Sequence, residues 1–172
     1  MVIWLIGISG AGKTTIGRML EKHFNDLGKR CYLLDGDEVR DLFDRDLGYS
    51  DADREANIKR ILLGAYLLDK NGIIGIICNI SPLEHLRKLA RKKIQGYNEI
   101  YLKKSVHESM KKDVKGMYRD NLGKTEIVGI DTVFEEPEKP DLVLETDKMT
   151  IDETYQAILD HIANKYRTDQ QL

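Results

Sequence analysis

A chain of 172 residues, 41% hydrophobic and 33% charged, has the size of one domain and enough apolar material for a core. Its formal charge of -2 supplies no global basic field, which argues against a nucleic-acid polymer as partner. Cys31 and Cys78 match no metal spacing and read as free or buried thiols of a reducing compartment, and no apolar run approaches the ~20 residues of a membrane helix, so a soluble cytoplasmic protein is the expectation.

In chain order, Val2 to Ile6 is a short apolar run, as in a strand buried on both faces. Lys13 to Leu27 carries Ile16, Leu20, Phe24 and Leu27 at helical period, and Gly28 ends it. Cys31 to Leu34 reads as a second strand ending in Asp35-Gly36-Asp37. Ser50 opens a helix with Asp53 at capping-box spacing, Ile58, Ile61, Leu62, Ala65 and Leu68 form its apolar face, and Asn71-Gly72 stops it. Ile73 to Cys78 is a third strand. Pro82 stands just before a helix over Leu83 to Gln95, where its missing N–H does no harm. Asn98 to Leu102 is a fourth strand, Val106 to Tyr118 reads as helix, Asn121 to Glu126 as loop, Asp141 to Glu145 as a fifth strand and Ile151 to Tyr166 as a closing amphipathic helix. That helix either packs on the sheet or makes a dimer; Thr168 to Leu172 reads as a frayed tail.

Strands alternating with helices five times predict one α/β domain over residues 1–172, with a mostly parallel sheet covered on both faces and a ligand at the carboxyl ends of the strands. Lys103 to Lys124 is rich in Lys and Arg and lacks a dense apolar stripe. Beside a phosphate site it reads as a basic lid over about 103–126; by itself it would be a solvated helix face.

The phosphate site is Gly7-Ile8-Ser9-Gly10-Ala11-Gly12-Lys13-Thr14, which fits G-x-x-x-x-G-K-[ST] at every defined position and is followed by Thr15. Glycines let backbone N–H groups approach anionic oxygens, and the following helix points its N-terminus at the same anion. Lys13 is expected on the β- and γ-phosphates of ATP and the Thr14 hydroxyl on Mg²⁺. The base-reading N-K-x-D of a signalling GTPase is absent from the sequence. Small P-loop kinases carry an acceptor site at the end of the second strand, and Asp35-Gly36-Asp37-Glu38-Val39-Arg40 falls there. Of two carboxylates at i and i+2 on one strand end, one can take a hydroxyl proton while the other positions a metal-bound water or the acceptor. Arg40 can clamp an anion with two parallel hydrogen bonds. Arg54 and Asn57, three apart, share a helix face near its N-terminus, and Tyr49 stands ahead of them, placed to stack on a base. His23, His85, His107 and His161 share no ligand spacing.

Together "GISGAGKTT", "DGDEVR", "LGYSDADREANIKR", "NISP", "KGMY", "GID" and "EEPEKPDLVLET" resemble the adenylylsulfate kinase family over nearly the whole chain. The resemblance implies a three-layer αβα P-loop fold and a kinase that uses ATP and Mg²⁺ on the 3′-hydroxyl of adenosine 5′-phosphosulfate. It implies that Asp35 and Asp37 flank the acceptor hydroxyl, with Asp37 chosen as the base. Arg40, Arg54 and Asn57 would hold the acceptor's anionic end and sugar, Tyr49 one face of its base, Ile80 and Ser81 contact it from the third strand, and Lys115 belong to the lid. A serine at the place of Ser81 is phosphorylated in some members; here a plain helix cap is the competing reading.

The sequence also departs from the family pattern. Ile127 stands where an aromatic slab is usual, opposite Tyr49; "SPLEH" replaces "SPYR", with no arginine before Arg87; and Lys112 replaces an arginine of the lid. Stacking on an aromatic is worth roughly 1–3 kcal/mol per base, so the base site could serve another nucleotide. Cytidine diphosphoramidate is the alternative acceptor, and a non-catalytic nucleotide-dependent regulator a minor one.

Overall fold

The computed structural model of the chain describes residues 1–111 and 127–168. Its elements in order are β1 (Val2–Ile6), α1 (Lys13–Asp26), β2 (Cys31–Asp35), α2 (Gly36–Leu42), α3 (Asp51–Lys70), β3 (Ile74–Cys78), α4 (Glu84–Lys93), β4 (Tyr97–Lys103), α5 (Val106–Lys111), β5 (Leu142–Glu145) and α6 (Ile151–Thr168). The strands form one sheet in the order β2-β3-β1-β4-β5, and every pairing is parallel. The chain runs from β1 to the edge strand β2, returns to β3 between them, then crosses to the other side of β1 for β4. The reversal puts a crevice at the carboxyl end of the central strand β1, where this class of sheet holds its ligands.

Burial explains why β1 is central. None of its five residues is more than 1% exposed. At ~1.5–3 kcal/mol per fully buried large apolar side chain, this strand firmly anchors the loop that follows it. Alternation divides its side chains between two cores. Ile3 and Leu5 join Ile16, Leu20 and Phe24 of α1 and Ile158 and Ile162 of α6 on one face. Val2, Trp4 and Ile6 join Val39 of α2, Ile61, Leu62 and Ala65 of α3, and Ala90 of α4 on the other. The closing helix therefore packs on the sheet.

Local signals place most boundaries. Ser50 is the N-cap of α3: its hydroxyl accepts from Asp53 N at 3.3 Å and donates to Asp53 Oδ2 at 2.7 Å. Gly72, at φ 65°, follows the Asn71 C-cap. Two expectations are corrected, and a third is only partly described. Asp37 does not share a strand end with Asp35: the chain turns into α2 at Gly36, an element the polar run did not announce. Ser81 caps no helix, because α4 begins at Glu84 behind Leu83. The helix expected over Val106 to Tyr118 is described only as Val106–Lys111; the rest of it, with Lys112 and Lys115 of the expected lid, lies outside the described residues. Among the described residues no helix is long and apolar enough to cross a membrane.

Candidate active site

The loop between β1 and α1 is shaped by its glycines. Gly7, Gly10 and Gly12 have φ of 142°, 78° and 97°, values that L side chains rarely adopt. At Gly7 there is also no room, since a Cβ would lie 2.4 Å from the Leu102 carbonyl oxygen of β4. Gly12 is the N-cap of α1 and supplies no side-chain cap, so the first N–H groups of the helix face the loop. Lys13 curls back over it: Nζ donates to the carbonyls of Gly7 at 2.7 Å and Ile8 at 2.8 Å. Ala11 is buried beneath the loop, Ser9 half-buried, and Thr15 exposed on the first turn of α1. Lys104, just past β4, donates to the Gly10 carbonyl at 2.9 Å, a contact the sequence did not suggest beyond its place in the basic stretch.

Thr14 joins this loop to the end of β2, its hydroxyl donating to Asp35 Oδ2 at 2.8 Å. The other oxygen of Asp35 accepts from Asp37 N at 3.0 Å, which makes Asp35 the N-cap of α2. Asp35 is 8% exposed, while Asp37 lies exposed on the first turn of α2. Val39, buried in the core, holds that short helix down. Two neighbouring carboxylates thus have different environments: one buried and twice hydrogen-bonded, the other on an exposed residue.

Arg40, Tyr49, Arg54 and Asn57 come together across α2, the connecting loop and α3. Arg40 Nη1 donates to the carbonyls of Leu47 and Gly48 at 3.0 and 2.9 Å, closing the loop on which Asp44 and Arg45 take positive φ. Arg54, 9% exposed, donates through Nε to the Tyr49 carbonyl at 2.7 Å. Both guanidinium groups approach the half-exposed Tyr49 ring, at 4.7 and 5.6 Å from its centroid. Asn57 is 3% exposed, its Nδ2 lies 3.5 Å from the Gly36 carbonyl, and its Oδ1 is buried with no hydrogen-bond partner among the described residues. An orphaned buried acceptor is unusual in a folded protein and marks this corner for a ligand's donor.

The segment after β3 closes the group. Ile80, half-buried, accepts at its carbonyl from Gly7 N at 3.4 Å. Ser81 is 1% exposed with φ 50°, and its hydroxyl accepts from Trp4 Nε1 at 2.9 Å and Asn79 Nδ2 at 3.2 Å. Trp4 is therefore core with a polar handle. Ile127 is 3% exposed, and its N–H donates to Asp131 Oδ2 at 2.9 Å within a turn carrying Gly129 at φ 94°. A cavity of about 560 Å³ opens between this turn, Ile8 of the phosphate loop, Lys103 and Lys104 after β4, and Asp147 after β5. No group of three metal-ligating His, Cys, Asp or Glu side chains occurs among the described residues.

This chain's likenesses agree with one another. The family described as Adenylylsulphate kinase matches residues 1–145. The adenylyl-sulfate kinase of Halothermothrix orenii is 37% identical over 167 residues, which cover 96% of this chain and 90% of that one. That of Pseudomonas aeruginosa is 42% identical over 149 residues, 84% of this chain and 76% of the relative. Among solved structures, the Mycobacterium tuberculosis APS kinase CysC in complex with AMPPNP and APS superimposes with a TM-score of 0.87 at 33% identity, covering 94% of this chain and 96% of that chain.

Proposed function

The chain belongs to the adenylylsulphate kinase family, and from that premise we propose that it transfers the γ-phosphoryl of ATP to the 3′-hydroxyl of adenosine 5′-phosphosulfate, giving 3′-phosphoadenylyl sulfate. The observation that carries the reading is the 2.8 Å bond from Thr14 to Asp35. It sets the donor loop directly against the end of β2, where α2 begins, so that phosphate and acceptor would meet between Lys13 and Asp37. The acceptor is adenylyl sulfate because the relatives named above are adenylyl-sulfate kinases; neither a cytidine acceptor nor a regulator is favoured.

Phosphoryl transfer asks mainly for positioning and charge neutralisation. Gly7, Ser9, Gly10, Ala11, Gly12, Lys13, Thr14 and Thr15 would hold the triphosphate of ATP through backbone N–H groups, the Lys13 ammonium and the hydroxyls of Ser9, Thr14 and Thr15. For that, Lys13 must exchange its carbonyls for phosphate oxygens, a favourable trade for an ammonium. Mg²⁺ fits the residues present: the Thr14 hydroxyl and Asp35 carboxylate are hard oxygen donors within hydrogen-bond reach of each other, and such an ion keeps most of its waters. When bound, it supplies charge neutralisation between the phosphates.

Asp37, with its carboxylate in solvent, would orient the acceptor hydroxyl and take its proton. Arg40 and Arg54 would receive the anionic 5′ end, Tyr49 the base, and Asn57 Oδ1 a donor of the sugar or base. Ile80, Ser81 and Ile127 would close the far side of this acceptor subsite, and a basic lid over about 103–126, with Lys115, would exclude water. We read residues 1–172 as one kinase domain. It works on small nucleotides, in the cytoplasm that its cysteine usage suits, and as a homodimer.

The test is product analysis. ATP with Mg²⁺ and adenylyl sulfate should yield ADP and a nucleotide phosphorylated at the 3′ position, while ATP alone should yield little ADP. Turnover confined to a cytidine acceptor, or slow ADP release indifferent to any acceptor, would overturn the reading.

A further inference from the structure

Arg87 is the first arginine after Ser81-Pro82. In the fold it is 2% exposed, at the second turn of α4, and its guanidinium is shared between two segments of backbone far apart in sequence. Nη1 donates to the Ser81 carbonyl at 2.6 Å. Nη2 donates to the Glu135 carbonyl at 2.6 Å. Nε and Nη2 also form a fork on Glu84 Oε2, at 3.0 and 2.5 Å, which fixes the plane of the group. The joint is doubled by backbone contacts: Glu135 N donates to the Pro82 carbonyl at 3.0 Å, and Glu84 N to Glu135 Oε2. Below lies the Phe134 ring, 5.7 Å from Cζ and stacked on Tyr101. Glu84 balances the charge, and buried Glu99 stands 3.9 Å from Nε.

Each of the two segments leads to the site. Ser81 is held in the left-handed region, a conformation that costs a non-glycine residue free energy and persists only where the surroundings impose it. The Ser81 hydroxyl is fixed by Trp4 of β1 and by Asn79, and the preceding carbonyl, that of Ile80, receives Gly7 N of the phosphate loop. The Asn79 side chain in turn closes on Gly36, where a Cβ would lie 2.7 Å from its Oδ1, at the start of the helix carrying Asp37. On the other side, Glu135 follows Phe134 and the turn that begins at Ile127.

We infer that Arg87 is a positioning residue for the acceptor subsite, its one buried guanidinium holding the Ile80–Ser81 wall and the Ile127–Glu135 wall at a set separation. The inference rests on the function proposed above. Lysine cannot replace it: an ammonium is a single point without the planar fork, and it cannot serve Ser81, Glu135 and Glu84 in these directions. A misplacement of about 1 Å at a reacting group costs up to about a hundredfold in rate.

The test compares Arg87→Lys with the wild type, and with Asp69→Asn as a control for stability alone. Asp69 ties the Met1 ammonium and Gln95 N at the opposite, amino-terminal edge of the sheet. Arg87→Lys should lower kcat/KM for adenylyl sulfate about 10- to 100-fold and weaken its binding in calorimetry, with the KM for ATP within about twofold of wild type. Asp69→Asn should lower Tm and leave the acceptor KM unchanged. An acceptor kcat/KM within about twofold of wild type, or an equal rise in the KM for ATP, would overturn the inference. If Arg87→Lys does not fold, Glu84→Ala, which removes the oxygen that accepts both arms of the fork, is judged by the same two outcomes. The wild-type rate tests the proposed function, whereas the variant-to-wild-type ratio of acceptor affinity tests Arg87 even without turnover.

Discussion

The donor loop and the acceptor side of the crevice are built by different means. The donor loop is backbone: three glycines at positive φ, the open N-terminus of α1, and one lysine folded onto two carbonyls. The acceptor side is side chains from β2, α2, α3 and the loop between the helices: Arg40 and Arg54 meet on Tyr49, Asp35 caps α2, and Asn57 reaches the Gly36 carbonyl. A backbone site depends on φ values that only glycine supplies readily, so it tolerates little change. A side-chain site can be retuned one residue at a time, and the departures from the family pattern, Ile127 and "SPLEH", fall on that side.

The sharpest way to break this comparison is Asp37→Asn. It removes the proposed base but no donor-loop contact, so turnover should fall by about 10²–10⁴ while ATP affinity measured by calorimetry stays as in the wild type. Turnover within about tenfold of wild type would remove Asp37 from that role. Tyr49→Ala should have an intermediate effect. It deletes a stacking surface worth roughly 1–3 kcal/mol, so the KM for adenylyl sulfate should rise by about tenfold and the KM for ATP should not move. A shift in both would mean that the two sides are not independent.

The smallest expected effect belongs to neither side. Burial, assisted by the Lys165 ammonium, lowers the pKa of His161 on α6 below its ordinary 6.5. A base whose folded pKa is depressed contributes stability that is fully present above the unfolded value and is lost as pH falls through it. Between pH 7.5 and 5.5 the wild type should therefore lose about 1–2 °C more in Tm than His161→Gln, with kinetic constants compared at equal folded fraction unchanged. An equal loss in both proteins would dissociate His161 from the acid sensitivity.

Much of the donor side was legible because its signals are local. Gly7 to Thr14 specify turn, helix start and phosphate chemistry within eight neighbouring residues. Ser50 and Asp53 announce a helix start in the same way, and the cap is found there. The acceptor side was legible only in residue types. That Asp35 would be a buried cap and Asp37 an exposed neighbour on a new helix did not follow from "DGDEVR", since a seven-residue helix held mainly by Val39 carries no periodic signal. Ser81 looked like a cap because serine before proline so often is; its hydroxyl instead meets an indole 77 positions away in sequence.

The sequence by itself determined the αβ alternation, the phosphate loop and the family, because short-range spacing and glycine conformation carry that information. Tertiary structure alone decided which polar groups meet: Thr14 with Asp35, Trp4 with Ser81, and Arg87 with Ser81 and Glu135. Those partners come from separate strands and loops that converge at the carboxyl edge of a parallel sheet, and only the strand order β2-β3-β1-β4-β5 brings them within hydrogen-bond reach.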